Sequence, residues 1–148
     1  MPEVIFSAMV LTKVKDFTPL QRILLTTSGT LQGTLSAYFC KPVSVSLIEQ
    51  HQEEEWIWIR EINLKIPNQL VCHAISWIVT TRTDVAEKVE EGKMGIGQIM
   101  ETFGIRPNFE LEKVGQDEQF FWRIYRLDGQ GVSYKIREDF EKRLYVPQ

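Results

Sequence analysis

The stretch Trp56-Ile57-Trp58-Ile59-Arg60-Glu61-Ile62-Asn63-Leu64 sets an arginine where it must do something. Read as a strand, its side chains alternate, so Trp56, Trp58, Arg60, Ile62 and Leu64 share one face. A guanidinium in that apolar row stays charged, and an unpaired buried charge costs on the order of several kcal/mol, so Arg60 needs a partner. Two partners satisfy it: a carboxylate of the protein, or a carboxylate of a ligand, which the planar fork grips bidentately.

The last strand repeats the anomaly. Val132, Tyr134, Ile136 and Glu138 share a face against Ser133, Lys135 and Arg137, so a carboxylate ends an apolar row. Either Glu138 lies at an exposed strand end, or it is enclosed. Enclosed, it forms with Arg60 a polar pair inside an apolar pocket, the usual small-molecule site, with an acid available for proton transfer.

Other chemistry-bearing residues argue for little. Cys40 and Cys72 form no CxxC motif, which speaks against a disulfide framework or a zinc site. Cys72 and His73 are neighbours on a strand and so point to opposite faces. His51 falls in a loop, and neither histidine is assigned to catalysis or metal. No cofactor is called for: Gly95-Ile96-Gly97 follows a helix and lacks the third glycine of a dinucleotide fingerprint.

The elements that must position these residues follow from the turn and cap signals. Residues 1–15 read as a loose lead-in or short strand. Thr18-Pro19-Leu20-Gln21 is a capping box with proline at the first helical position. Leu20, Ile23, Leu24, Leu31 and Leu35 keep helical spacing, but Thr26-Thr27-Ser28-Gly29 interrupts it, giving two helices with a break at Ser28-Gly29. The break is either a plain corner or a set of free backbone N–H groups near Gly29, Thr30 and Leu31 that suits an anionic or polar ligand group.

Strands are expected over 42–48, 56–65, 70–79, 109–114, 120–127 and 132–138, with Glu53-Glu54-Glu55 as a solvated loop and a turn at Pro67-Asn68. A helix opening at Asp84 ends at Gly92, and another runs from Gln98 to Phe103 before Gly104. The pattern is α+β, an antiparallel sheet of about six strands flanked by short helices.

At 148 residues and 17.3 kDa the chain reads as one domain, 1–148. A net charge of −3 with no basic cluster disfavours nucleic acid. The start Met1–Phe6 lacks the features of a signal peptide, no stretch is long and apolar enough for a membrane, and a cytoplasmic location is expected.

Taken together, Arg22–Leu31, Trp58-Ile59-Arg60-Glu61, Gly95-Ile96-Gly97 and Glu138-Asp139-Phe140 with Leu144-Tyr145 resemble the chorismate pyruvate-lyase (4-hydroxybenzoate synthase) family, in the branch long catalogued as a domain of unknown function. The blocks keep the family's order over about residues 20–145. The resemblance implies a six-stranded antiparallel sheet with the substrate buried under two helical flaps, and a cofactor-free elimination of pyruvate from chorismate giving 4-hydroxybenzoate. It puts the carboxylate-binding arginine on Arg60 and the glutamate at the opposite end of the ring, as general acid, on Glu138. Flap contacts fall on Ser28, Gly29, Thr30 and Ile96. A second arginine known in enterobacterial members has no counterpart near Ser76, where no basic residue occurs from Leu70 to Thr81. The alternative is a non-catalytic domain binding an aromatic or cyclic carboxylate, related to effector-binding domains of transcription regulators.

Overall fold

The computed structural model describes residues 8–146. Three helices lead, α1 (Ala8–Val14), α2 (Pro19–Thr26) and α3 (Leu31–Phe39), followed by the hairpins β1 (Ser44–Glu54), β2 (Ile57–Ile66) and β3 (Gln69–Thr80). Helices α4 (Thr83–Glu91) and α5 (Ile96–Thr102) precede β4 (Asn108–Gln116), β5 (Phe120–Gly129) and β6 (Val132–Glu141), and a 3-10 turn (Lys142–Tyr145) closes the chain. The fold is α+β, and its strands make one six-stranded sheet of order β1-β2-β3-β6-β5-β4, antiparallel throughout.

Period-two alternation decides how the sheet is used. On β2, β3, β5 and β6 buried residues alternate with half-buried or exposed ones, except at Val71-Cys72, both buried beside a register shift between β2 and β3. One face therefore carries the core with the helices over it; no described helix packs on the other. The core includes Leu24, Leu25, Leu35, Ile78, Val85, Ile99, Phe121 and Phe140, all almost wholly shielded. Tyr145 closes it, stacked edge-on against Phe121 and Phe140, its hydroxyl donating to the Val71 carbonyl.

The start of α2 is as the sequence dictates. Gln21 N donates to Thr18 Oγ1 at 3.3 Å, and Thr18 N donates to Gln21 Oε1 at 3.0 Å. Thr18→Ala removes an acceptor for one orphan N–H and is expected to cost about 1 kcal/mol, read as a lowered urea midpoint at unchanged slope.

Several expectations need correction. The part of the lead-in that is described, from Ala8, is helical, tied to β4 by Lys13 Nζ donating to Leu111 O at 2.8 Å; the rest of the lead-in, 1–7, lies outside the described residues. β1 runs on to Glu54, so His51, Glu53 and Glu54 are strand residues rather than loop, long hairpin pairing overriding the acidic run. Trp56 leaves the central strand: at φ 72° it forms the hairpin turn, its carbonyl accepting from Thr80 N. Helix α4 begins at Thr83, with Arg82 rather than Asp84 before it.

Candidate functional site

The inward residues of four strands meet in two adjacent rows. Cross-strand pairing aligns Arg60, Ser76, Ile136 and Tyr125 in one row and Ile62, Ala74, Glu138 and Arg123 in the next. Arg60, Ser76, Arg123, Tyr125 and Glu138 are all buried, each at most 6% exposed. Above these rows the turn 28–30 between α2 and α3 comes together with the turn 92–95 between α4 and α5 and the first residues of α5. Between turns and sheet lies a pocket of about 60 Å³, lined by the Ser28–Gln32 and Gly95–Gln98 segments above and by Ile62, Ser76, Tyr125, Ile136 and Glu138 below.

Ser28, Gly29, Thr30, Ile96 and Glu138 are therefore brought together as the sequence reading expects. Glu138 is not at an exposed end, because β6 continues past it to Glu141. Arg60 departs from expectation in two ways: it does not line the pocket, and its partners within the chain are not carboxylates. Its Nε donates to Gln50 Oε1 at 2.8 Å, one terminal nitrogen to Met94 O at 2.6 Å and the other to Val89 O at 2.8 Å. Burial lowers the Arg60 guanidinium from its ordinary value, partly offset by the Tyr134 side chain. The amide and carbonyl dipoles satisfy it without a formal counter-charge.

Glu138 has the counter-charge instead. Arg123 Nε donates to Glu138 Oε1 at 2.6 Å and the Tyr125 hydroxyl donates to Oε2 at 2.9 Å. Both oxygens thus serve as acceptors, the arrangement of a carboxylate. Burial opposes charge on Arg123, but Glu138 and Tyr125 together outweigh it and hold its guanidinium above the ordinary value. Burial and the Glu138 charge raise Tyr125 well above a normal phenol, so it stays a neutral donor. Arg123 also stacks over the Tyr125 ring, 4.1 Å from its centroid.

Arg123 and Tyr125 were not singled out from the sequence, although the signal was present. Phe121, Arg123, Tyr125 and Leu127 alternate inward on β5 as Trp58, Arg60 and Ile62 do on β2. β5 thus supplies a second inward arginine, Arg123, while the position of Ser76 carries none.

The two arginines act alike on the turns above them. Arg123 Nη1 donates to Leu25 O at 3.2 Å and Thr27 O at 2.8 Å, taking up the end of α2 just before the 28–30 turn. Arg60 takes Val89 O near the end of α4 and Met94 O just before Gly95. A cation at a helix C-terminus meets orphan carbonyls and the negative end of the dipole. Each turn over the pocket is thereby tied to the sheet by one buried guanidinium.

Unused polar capacity faces this region. Ser76 is 2% exposed, lines the pocket and makes no side-chain hydrogen bond among the described residues. Trp58 Nε1 and the Tyr134 hydroxyl, in the row beside Arg60, are buried without a partner. No group of three or more His, Cys, Asp or Glu among the described residues could hold a metal. No helix among them is long and apolar enough to cross a membrane. Comparison with protein-family models finds no match, and comparison with curated proteins finds none either.

Proposed function

We propose that the pocket binds a cyclic carboxylate and that the protein is a chorismate pyruvate-lyase. The observation that carries this reading is the enclosed Arg123–Glu138–Tyr125 unit, which presents a carboxylate and a phenol to an otherwise largely apolar cavity beside Arg60. Arg60, with the unpartnered donors of Trp58 and Tyr134 around it, is the anchor for the ring carboxylate. A carboxylate would replace the Met94 carbonyl on its fork, an exchange favoured by charge. Glu138 and Tyr125 then face the other end of the ring.

In the elimination the ring carbon to ether oxygen bond breaks, a ring hydrogen leaves as a proton, the ring aromatises, and enolpyruvate tautomerises to pyruvate. No cofactor is required, since aromatisation drives the reaction. The pairing of Glu138 changes its expected part. With both oxygens accepting, it is suited to receive or orient a proton, and Tyr125 is the member of the pair that carries one.

A second reading has its own support. Arg60 and Glu138 are already satisfied within the protein and the cavity is small, which suits a domain that binds a ligand and performs no chemistry. The deciding experiment adds chorismate to the purified protein and follows 4-hydroxybenzoate and pyruvate together. Equal release of both is expected, with kcat falling about tenfold or more in Tyr125→Phe. Tight 4-hydroxybenzoate binding with no pyruvate release would establish the binding reading.

A further inference from the structure

The face of the sheet turned away from the helices is not an ordinary solvent face. Along its centre, β3 presents Ile75, Trp77 and Val79, and β2 adds Ile57 and Ile59. Trp77 is 41% and Val79 43% exposed. Antiparallel sheets with one solvated face normally alternate apolar inside and polar outside, and a contiguous exposed apolar stripe marks an interaction surface.

The charges beside the stripe differ on its two sides. On the β2 side, Glu61 lies in the row of Ile75; on the β6 side, Arg137 lies in that same row and Lys135 in the row of Trp77, with Arg126 beyond it on β5, the last two paired with Glu112 of β4 at 3.3 and 3.8 Å. A two-fold axis running along β3 in the plane of contact would bring β2 of one copy over β6 of the other while keeping each row level. Ile75, Trp77 and Val79 would then meet themselves, and Glu61 would face Arg137 of the second copy in both halves of the contact. Glu61 already bonds His73 at 2.6 Å and Arg137 bonds Asp139 at 3.0 Å, so each charge is held in place in the free chain. Along the Ile75 row the surface is self-complementary in both apolar character and charge, the requirement for an isologous contact.

We infer that this face is the interface of a homodimer, two sheets packed face to face about β3. Sheets packed this way cross at about 30° and lie about 10 Å apart, which leaves the 28–30 and 92–95 turns, and the pocket beneath them, on the outer sides. The inference is independent of what the pocket binds.

Sedimentation velocity over a range of concentration tests it. The wild type is expected to sediment as a dimer and Trp77→Glu as a folded monomer with an unchanged circular dichroism spectrum. Glu61→Arg and Arg137→Glu, each alone, set like charges opposite one another and are expected to weaken the dimer by about tenfold or more. Mixed in equal amounts, the two variants restore it, because both contacts then join opposite charges. A wild type that stays monomeric up to its solubility limit overturns the inference. So does a dimer that survives Trp77→Glu, or a mixture no tighter than its components.

Discussion

Arg123→Met is expected to destabilise the protein by about 3–5 kcal/mol, because it leaves the Glu138 carboxylate buried without its counter-charge. Arg123 is 1% and Glu138 5% exposed, so solvent screens neither. The same change releases the carbonyls of Leu25 and Thr27 and so loosens the end of α2. The two contributions separate by a second substitution. Arg123→Met with Glu138→Leu removes both charges, and replacing a buried ion pair by apolar side chains is often close to neutral. The double variant should therefore recover most of the loss, less what the α2 carbonyls contribute. Urea unfolding of the wild type, the single variant and the double variant checks this. A single variant losing less than about 1 kcal/mol would mean that water reaches Glu138 in solution, contrary to its enclosure here.

Arg60→Ala is expected to abolish binding of 4-hydroxybenzoate and also to cost about 2–4 kcal/mol of stability. Reading Arg60 only as a substrate anchor predicts the first effect alone. The geometry adds the second, since Gln50, Val89 and Met94 each lose a charged donor. Arg60→Lys is not expected to rescue either, because one ammonium cannot span three acceptors set around a planar fork. Calorimetric titration measures the binding. Hydrogen exchange over 83–102 measures the release of the α4–α5 segment, which should exchange faster in the variant. Wild-type affinity in Arg60→Ala would remove the residue from the ligand's surroundings and leave it only the structural part.

Alternation along single strands made much of this legible beforehand. The fold class, the break between α2 and α3 and the inward facing of Arg60 and Glu138 follow from local spacing, turn residues and caps. What Arg60 and Glu138 touch does not. Their acceptors and donors lie 10–34 positions away in the chain, and only the folded topology brings them near. Arg123 was readable by the very rule that marked Arg60, since Phe120-Phe121-Trp122 and Ile124-Tyr125 flank it as fully as Ile57-Trp58-Ile59 and Ile62 flank Arg60. Trp56 was misplaced because periodicity extends an alternating run through a hairpin turn, and a tryptophan in the left-handed region has no local signature.

The closed turns also set a time course. At about 60 Å³ the cavity is well below the roughly 150 Å³ that accommodates benzene in an engineered protein interior. The turns meet at Thr30 and Gly97, where a Cβ added to Gly97 would lie 3.4 Å from the Thr30 side chain. On this size a ring-sized guest is expected to need the turns to part into an opened form before it enters. Its observed association rate should then level off as guest concentration rises, at the frequency with which the turns part, and the intrinsic affinity should be diminished by the scarcity of that form. Stopped-flow mixing would show the plateau, and a rate rising linearly without limit would mean that the turns stand open most of the time. Arg60 and Arg123, by fastening both turns to the sheet, would be the residues that make the protein slow to admit its ligand and slow to release it.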